Sequence, residues 1–166
     1  RRSLAGRTGC GLCGVDSLEA ALRPVAASSA TGRVSRAAIG RAMAALPAEQ
    51  RINKLNGATH AAGWADADGK LLAVREDVGR HNALDKLAGA LARAGTAAPG
   101  GFVVVTSRCS YEMVQKAAAI GAVAIAAVSA PTSLAIETAE QAGIALVAFV
   151  REGRLTVYAH AERIAA

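Results

Sequence analysis

Two cysteines separated by two residues are the part of this sequence whose spacing points most directly to chemistry. Cys10 and Cys13 lie in the glycine-rich run of residues 9–14. A C-x-x-C pair is typical of half a zinc site, a redox disulfide or a persulfide carrier. The third cysteine of the chain, Cys109, lies far along the sequence. One chain therefore cannot supply the four cysteines of a zinc ribbon.

The glycines around these two thiols predict an accessible loop. Glycine loses much backbone entropy on folding and has no side chain to pack, so a core strand would not tolerate three glycines around two thiols. A loop of this kind can carry a sulfur atom from one partner to another. On composition alone, sulfur handling, zinc binding and an incidental pair of thiols all stay open.

Composition and charge restrict the class of protein. The chain has 166 residues, enough for one domain with a sizeable core, and its 52% hydrophobic and 3% aromatic content requires a core of Ala, Val, Leu and Ile. The net charge of +6 suits an anionic partner. Scarce aromatic residues and the lack of a Lys/Arg block argue against a nucleic-acid platform. No apolar run reaches transmembrane length, and free thiols fit a reducing cytosol.

The first regular element of the domain is predicted to be a helix. Ser35 is a good N-cap for a helix that runs to about Leu46, and Pro47 suits the first position of a second, short helix. Residues 1–34, which carry the C-x-x-C loop, are predicted to be a flexible N-terminal segment, and residues 35–166 to form the α/β domain. The apolar positions of the first helix fall on one face: Ile39, Ala42, Met43 and Leu46.

Downstream of this helix, strands and helices alternate. The pattern predicts a β-hairpin over residues 59–65 and 70–75, followed by a helix over residues 80–93. Short loops between alternating elements are typical of a parallel sheet covered by helices. The fold class is therefore predicted to be α/β, a three-layer sandwich whose mixed sheet consists of a hairpin followed by βαβαβ. The remaining strands are expected at 102–106, 122–128, 144–150 and 154–158, and the remaining helices at 110–120 and 132–142.

Polar turns follow the predicted strands and run into helix N-termini. Ligands bind at the carboxyl ends of parallel strands, where backbone N–H groups and the positive end of a helix dipole favour an anion. Arginine and hydroxyl side chains in these turns add cations and hydrogen-bond donors. The residues expected to form this anion or dinucleotide pocket are Asp77, Arg80, His81, Ser107, Arg108 and Ser110, with Arg151 and Arg154 after a later strand.

A simpler interpretation of the same turns stays open. Ser110 and Thr132 can merely cap helices. The arginines of the turns can be solvated, or they can pair with the nearby carboxylates of Glu76 and Asp77.

The positions of histidine and cysteine invite a comparison with zinc deaminases, which hold their metal at two adjacent helix N-termini. His81 and Cys109 fall near those two places. No Glu follows His81 at the H-x-E spacing and no second cysteine follows Cys109, so no metal site is predicted. The architecture resembles a cytidine deaminase core without its catalytic zinc. His60, in a predicted strand, can reach the edge of a site, whereas His160 is expected at the surface.

Four stretches of the sequence carry a resemblance to a known family: residues 6–14, 75–86, 110–117 and 128–135. They make the chain similar to the FdhD family, the sulfurtransferases that serve formate dehydrogenase maturation. The resemblance covers nearly the whole chain and implies a cytidine-deaminase-like fold and a cytoplasmic homodimer. Members usually carry a further N-terminal region, which we expect to be missing from this sequence. Cys109 departs from the residue type expected there.

The resemblance also implies a task and the residues for it. A cysteine desulfurase hands sulfane sulfur to the C-x-x-C loop, where Cys10 matches the persulfide-bearing cysteine and Cys13 its companion. The sulfur then passes to the molybdenum of the bis(molybdopterin guanine dinucleotide) cofactor, which is inserted into formate dehydrogenase. GDP is expected to mimic part of that cofactor. The residues that match the family's cofactor-holding segment are Phe149, Val150, Arg151, Glu152, Gly153 and Arg154.

Two other functions stay open beside this one. The first is a binding module that only chaperones the cofactor, with the C-x-x-C pair as a zinc clamp between two chains or as a redox pair. The second is an active nucleotide deaminase, which the missing Glu and cysteine disfavour.

Overall fold

The architecture follows from a computed structural model, which describes residues 27–95 and 100–166. Cys10 and Cys13 lie outside the described residues. None of the described helices has the length and apolar content that crossing a bilayer requires. The strands are β1 (Val34–Ser35), β2 (His60–Ala65), β3 (Leu71–Asp77), β4 (Phe102–Val105), β5 (Ala124–Ala127), β6 (Ala145–Arg151), β7 (Arg154–Ala159) and β8 (Ile164–Ala165). The helices are α1 (Arg36–Glu49), α2 (Asn53–Asn56), α3 (Arg80–Ala94), α4 (Tyr111–Ala119) and α5 (Ser133–Ala142), with a 3₁₀ turn at Ala161–Arg163.

Six strands form one mixed sheet in the order β3-β2-β4-β5-β6-β7. The strands β4, β5 and β6 are parallel. Antiparallel pairing adds β2 and β3 on one side and β7 on the other. The predicted mixed sheet, a hairpin followed by βαβαβ, is confirmed. Because β3 runs in the same direction as the parallel strands, β3, β4, β5 and β6 all end at one edge of the sheet, which we call the carboxyl edge.

Helices cover both faces of this sheet, so the fold has three layers. Successive side chains of a strand point to opposite faces. In β4, Val103 and Val105 join the cluster under α3, α4 and α5, whereas Phe102 and Val104 join the cluster under α1. Burying one such valine stabilises a fold by about 1.5–3 kcal/mol. Most of the core is Ala, Val, Leu and Ile, as the composition requires, with Trp64 and Phe102 fully buried.

Helix α1 begins where the sequence predicts and ends later. The hydroxyl of Ser35 accepts a 3.0 Å hydrogen bond from the N–H of Ala38, which confirms Ser35 as the N-cap. The predicted second, short helix is present as α2, but it does not begin at Pro47, because α1 continues through Pro47 to Glu49. Pro47 lies in the last turn, where its missing N–H costs one hydrogen bond, and the buried Leu46 beside it keeps that turn packed.

A short parallel pair, β1 with β8, is a feature that the sequence pattern does not predict. Strands of two residues carry no periodicity that could reveal them. Val34 of β1 is buried, and the N–H of Ser28 donates a 2.8 Å hydrogen bond to the carbonyl of Ala142. The last residues of the segment predicted to be flexible therefore contact the domain. Residues 1–26 of that segment lie outside the described residues, so their predicted flexibility stays a prediction.

We expect the change Gly101→Ala, directly before β4, to destabilise the protein. A Cβ atom at this position would lie 2.6 Å from Cε2 of the Trp64 indole, which is fully buried and has no room to move. Overpacking of this kind lowers the free energy of unfolding by about 1–3 kcal/mol. Urea denaturation followed by circular dichroism measures the change.

Gly89→Ala is the matched control. Gly89 lies in α3, and no atom lies within 4 Å of the position that a Cβ would take. Alanine there should raise the free energy of unfolding by about 0.5–1 kcal/mol, because glycine loses more backbone entropy in a helix. Equal stability of Gly101→Ala and the wild-type protein would contradict the packing described for Trp64.

Candidate functional site

The carboxyl edge gathers the loops that follow β4 and β5 and the end of β6, because these strands are parallel neighbours. The antiparallel strand β2 starts at the same edge with His60, which pairs with Asp77 at the end of β3. Helices α3 and α4 begin shortly after β3 and β4, so their positive N-terminal ends lie at this edge too. The topology thus brings most of the predicted site residues to one side of the domain.

A cleft of about 340 Å³ opens between these segments, and we call it the arginine cleft. Its volume is at the small end of the range for ligand sites and suits a compact group such as a phosphate. The sequence placed Arg80, Ser107 and Arg108 in a common pocket, and the structure brings the three together. The lining residues are His60, Arg80, Thr106, Ser107, Arg108 and Ser129.

Backbone pairing fixes the loop that supplies half of this lining. The hydroxyl of Thr106 accepts a 2.9 Å hydrogen bond from the N–H of Ala61, and the N–H of Thr106 donates to the carbonyl of Ala61 over 3.1 Å. Ser107 is buried, and its hydroxyl donates to the carbonyl of Arg108. These bonds hold the loop after β4 beside His60 at the start of β2.

The charges of the arginine cleft are not neutralised by neighbouring carboxylates. Among the described residues, neither Arg80 nor Arg108 forms an ion pair. The Nε of Arg80 is buried without a hydrogen-bond partner in this part of the chain. Burial, and then the positive charge of Arg80, lowers the pKa of His60, so its imidazole is neutral at pH 7. Two fixed cations beside neutral donors are chemically suited to an anion.

The helices that begin at the carboxyl edge near the arginine cleft, α3 and α4, lack side-chain caps, and neither of their N-cap residues lines the cleft. The N-cap of α3 is Gly79, which has no side chain, and the N-cap of α4 is Ser110, which makes no capping hydrogen bond. The Ser110 hydroxyl is buried without a partner among the described residues. In contrast, Thr132 caps α5 by accepting a 3.1 Å hydrogen bond from the N–H of Ala135. The interpretation as a simple cap holds for Thr132 and fails for Ser110.

The carboxylate of Asp77 holds the turn into α3 and does not line the arginine cleft. It accepts hydrogen bonds from the N–H of Gly79 (2.9 Å), from Nδ2 of Asn82 (3.2 Å) and from the ammonium of Lys86. The Lys86 hydrogen bond, followed by the Gly79 N–H, lowers the pKa of Asp77 to about 2. In this structure Asp77 positions Gly79 and Arg80, and its predicted ligand role stays a prediction.

Glu76 is likewise engaged away from the arginines. Its carboxylate accepts from the N–H groups of Ile52 (3.0 Å) and Asn53 (2.8 Å) and from the hydroxyl of Thr59 (3.1 Å). This set of bonds holds the start of α2 against the end of β3. The expected alternative, in which Glu76 and Asp77 neutralise the arginines of the turns, is therefore wrong.

His81 lies between the starts of α3 and α4, outside the lining of the arginine cleft. Its Nδ1 is 3.2 Å from Oε2 of Glu112 but makes no well-aligned hydrogen bond. Burial lowers the pKa of His81, helped by the charges of Arg80 and Lys116, and burial raises the pKa of Glu112. His81 is therefore a neutral, buried contact between two helices, and its predicted binding role stays a prediction.

The backbone of Cys109 connects the loops that follow β4 and β5. Its N–H donates to the carbonyl of Ala130 over 3.2 Å, and its carbonyl accepts from the N–H of Thr132 over 3.0 Å, which ties the β4 loop to the β5 loop. The side chain is fully buried, and burial raises the pKa of its thiol to about 12. Among the described residues, no group of three or more His, Cys, Asp and Glu side chains comes together to hold a metal.

A second cleft, of about 540 Å³, lies at the β6–β7 turn, and we call it the hairpin cleft. Phe149 is 43% exposed there and has a φ of 53°, a left-handed conformation that costs a residue other than glycine about 1–3 kcal/mol. Such strain is concentrated at ligand sites. The lining residues are Arg36, Phe149, Arg151, Gly153, Arg154, Leu155 and Thr156.

The predicted segment from Phe149 to Arg154 is only partly in this cleft. Val150 is buried in the core under α1. Glu152 is exposed and lies 3.6 Å from Arg154, with which it pairs in solvent. The structure thus distributes the residues predicted for one pocket over two clefts that share no lining residue.

Comparison with known proteins decides the family. The family model described as the FdhD/NarQ family matches residues 1–165. The chain belongs to the FdhD/NarQ family. It is 54% identical over 166 residues to the sulfur carrier protein FdhD of Bordetella parapertussis, covering 100% of this chain and 60% of that protein. It is 57% identical over 164 residues to the sulfur carrier protein FdhD of Cupriavidus necator, covering 99% of this chain and 57% of that protein.

A solved structure supports the fold of this FdhD/NarQ chain. The crystal structure of a protein described as a formate dehydrogenase accessory protein from Desulfotalea psychrophila is similar, with a TM-score of 0.77 and 30% sequence identity. The match covers 86% of this chain and 61% of that chain. The chain thus spans about 60% of the length of the curated relatives described above and of this neighbour.

Some lining residues in the FdhD/NarQ chain had a usable sequence signal. Thr106 and Ser129 each follow a buried strand closely, which is where the carboxyl-end rule places ligand groups. The sequence signal for His60 was weaker, because its position at the arginine cleft depends on the antiparallel register of β2. No sequence signal pointed to Arg36, since it reaches the hairpin cleft only through the packing of α1. Its Nη2 donates a 3.2 Å hydrogen bond to the carbonyl of Leu155.

The change Asp77→Asn should destabilise the protein by an amount that depends on pH. The folded-state pKa of Asp77 is depressed, so its contribution is present above its ordinary pKa and is lost as the pH falls through about 2. The difference in melting temperature between the variant and the wild-type protein should be constant from about pH 5 to pH 8 and shrink below about pH 4. Differential scanning calorimetry across this range measures it.

Asp68→Asn is the control for the loss of one negative charge. Asp68 lies in the exposed β2–β3 turn, where its backbone carbonyl, not its carboxylate, accepts from Arg41. Its substitution should leave the melting temperature almost unchanged. Identical melting curves for Asp77→Asn and Asp68→Asn at pH 7 would refute the positioning role of Asp77.

Proposed function

We propose that this protein carries the sulfur that a formate dehydrogenase needs during maturation. The observation that carries the proposal is the family match over residues 1–165, a range that includes both cysteines of the C-x-x-C pair. Further support comes from relatives named sulfur carrier protein FdhD and from a structural neighbour described as a formate dehydrogenase accessory protein. The two cationic clefts offer a place for an anionic partner of that process.

In this proposal sulfur enters at Cys10. Its thiolate attacks the outer sulfur of a persulfide on a cysteine desulfurase, the S–S bond of that persulfide breaks, and the desulfurase thiolate leaves. In the sequence Cys10 lies between two glycines and three residues after Arg7, and backbone amides and a nearby positive charge are groups that favour a thiolate. Cys13 then either takes over the sulfur or attacks Cys10. The second route releases hydrosulfide and leaves a Cys10–Cys13 disulfide, so the dithiol supplies the two electrons.

The acceptor of the sulfur is proposed to be the molybdenum of the bis(molybdopterin guanine dinucleotide) cofactor, which is a substrate here. This cofactor carries purine rings and phosphates. The hairpin cleft offers the half-exposed ring of Phe149 beside Arg151 and Arg154, which suits a purine and its charged neighbours. The arginine cleft offers the hydroxyl and guanidinium donors that phosphates require.

The cytoplasmic homodimer and the cytidine-deaminase-like fold, both implied by the resemblance, belong to the same proposal. A mixed sheet between two helical layers, with an uncapped pair of helix N-termini at the carboxyl edge, is compatible with such a fold. Formate dehydrogenase and a cysteine desulfurase are the proposed protein partners.

Cys10→Ala should abolish sulfur loading. We expect the wild-type protein, incubated with a cysteine desulfurase and cysteine, to gain the mass of one sulfur atom, because a cysteine thiolate accepts sulfane sulfur by exchange. The variant should show no gain in intact-protein mass spectrometry. The control is Cys109→Ala, whose loading should equal that of the wild-type protein, since the buried thiol is protonated. A sulfur adduct that survives in Cys10→Ala and is lost in Cys109→Ala would reverse the assignment.

GDP should raise the melting temperature of the protein by mass action. Arg151→Ala and Arg154→Ala should each weaken GDP binding by about 1.5–3 kcal/mol if a charge-assisted hydrogen bond is lost. Isothermal titration calorimetry measures the affinity. Arg93→Ala is the matched control, because Arg93 lies in the last turn of α3 and lines neither cleft. Equal GDP affinity in the wild-type protein and the Arg151→Ala/Arg154→Ala double variant would rule out the hairpin cleft.

A further inference from the structure

Strand β3 is an outer strand of the sheet, and none of the described strands pairs with its free side. A slot of about 520 Å³, which we call the edge slot, is lined by residues 72–76 of β3. Its walls come from both helical layers, because Glu49, Arg51 and Ile52 lie between the end of α1 and the start of α2, and Lys86 belongs to α3. The edge slot shares no lining residue with the arginine cleft or the hairpin cleft.

The register of the β2–β3 pair determines which backbone groups of β3 face outward. In an antiparallel pair, each residue directs its N–H and C=O groups to the same side, and this side alternates along the strand. Ala61 directs its carbonyl to the N–H of Thr106, on the β4 side, and its partner in β3 is Glu76. Glu76, and Val74 two residues before it, therefore direct their N–H and C=O groups away from β2.

Two cationic side chains contact these outward carbonyls. Nη1 of Arg75 donates a 2.7 Å hydrogen bond to the carbonyl of Val74, and Nζ of Lys86 donates a 3.2 Å hydrogen bond to the carbonyl of Glu76. Both contacts agree with the direction that the register gives. Arg75 is exposed, so a side chain that is free to rotate satisfies a carbonyl that a neighbouring strand satisfies elsewhere in the sheet.

The edge slot has an excess of positive charge. Among the described residues, neither Arg51 nor Arg75 forms an ion pair. Two carboxylates line the slot, those of Glu49 and Glu76. The carboxylate of Glu76 accepts hydrogen bonds from the start of α2, so it does not neutralise the arginines. The charge of the slot therefore favours an acidic partner.

Two large apolar side chains of the edge slot are accessible. Ile52 and Leu72 are each 47% exposed, and both line the slot. An open strand edge with apolar side chains beside it is the arrangement that binds an extended peptide by strand addition. In this mode the backbone hydrogen bonds give affinity, and alternate side chains give specificity.

We propose that the edge slot binds an extended acidic segment of a partner protein, which adds to β3 as a further strand. An amide of that segment takes the place of the Arg75 guanidinium on the carbonyl of Val74. Its carboxylates pair with Arg51 and the released Arg75, and its apolar side chains cover Ile52 and Leu72. A second copy of this chain does not suit the slot, because pairing of two β3 strands would bring like charges together at one edge. The inference does not depend on sulfur carriage.

A peptide of seven alternating glutamate and valine residues, blocked at both ends, is the probe. Added to the ¹⁵N-labelled full chain, it should shift the backbone amide signals of Val74 and Glu76 in NMR spectra, because these N–H groups gain carbonyl partners. A peptide of alternating lysine and valine should not bind, since the arginines repel it. N-methylation of the glutamate–valine peptide should weaken its binding about fivefold or more, because a methylated amide cannot donate to β3.

Substitutions at the edge slot test the same contacts from the protein side. Arg51→Glu and Leu72→Ser should each weaken the glutamate–valine peptide about fivefold or more, through lost charge pairing and lost apolar contact. The matched controls Arg93→Glu and Leu55→Ser should bind it like the wild-type protein, because neither residue lines the slot. All four side chains are exposed, so these changes leave the fold intact, which circular dichroism checks.

Several results would overturn the proposal. Equal binding of the glutamate and lysine peptides, or unchanged affinity in Arg51→Glu, would reject the acidic partner, and full binding of the N-methylated peptide would reject strand addition. Absence of binding would show that Arg75 and Lys86 only protect the edge from pairing, as charged side chains do on other edge strands. A dimer that the peptide dissociates in sedimentation velocity would assign the slot to a second copy, whereas a dimer that persists with the peptide bound would support a separate partner.

Discussion

Strand β4 imposes the constraint on which the rest of the structure depends. It hydrogen-bonds antiparallel to β2 on one side and parallel to β5 on the other, and all four of its side chains are buried between helices. Its register fixes which end of each neighbour reaches the carboxyl edge. A shift of one residue would turn Val103 and Val105 to the face of α1 and would also move the loop from Thr106 to Arg108. The geometry of the two clefts therefore depends on a strand whose side chains are all buried.

The carboxyl edge keeps its positive charge because the nearby carboxylates form hydrogen bonds to other groups. The carboxylates of Glu76 and Asp77 hold backbone turns, and that of Glu112 faces His81 between two helices. The guanidiniums of Arg80 and Arg108 are left without carboxylate partners among the described residues. Acidic side chains adjacent in sequence to the arginines thus build the cleft without neutralising it. The net charge of +6 gives no indication of this arrangement, because it depends on which hydrogen bonds the carboxylates make.

Hydrophobic periodicity and turn residues predicted most helices and strands correctly, but they predicted the arrangement of the site residues less well. The hairpin, the three parallel strands and the Ser35 cap follow from local patterns, whereas the continuation of α1 through Pro47 depends on packing against the sheet. The rule that ligands bind at the carboxyl ends of parallel strands identified Arg80 and Arg108 as candidate site residues, because a parallel sheet brings consecutive loops together. The same rule could not predict that the site residues divide between two clefts. That division depends on the register of β6 and β7 and on the left-handed backbone at Phe149.

The central claim is that sulfur chemistry and anion binding occupy different parts of the chain. The Cys10→Ala/Cys13→Ala variant tests it most directly, with GDP affinity and formate dehydrogenase activity measured in parallel. We predict near wild-type GDP affinity, because thiols that do not touch the ligand contribute little to its binding. We also predict an inactive formate dehydrogenase in a strain that relies on this protein. Loss of GDP binding in a variant that remains folded by circular dichroism would contradict the account, since the C-x-x-C loop would then be a wall of the nucleotide site.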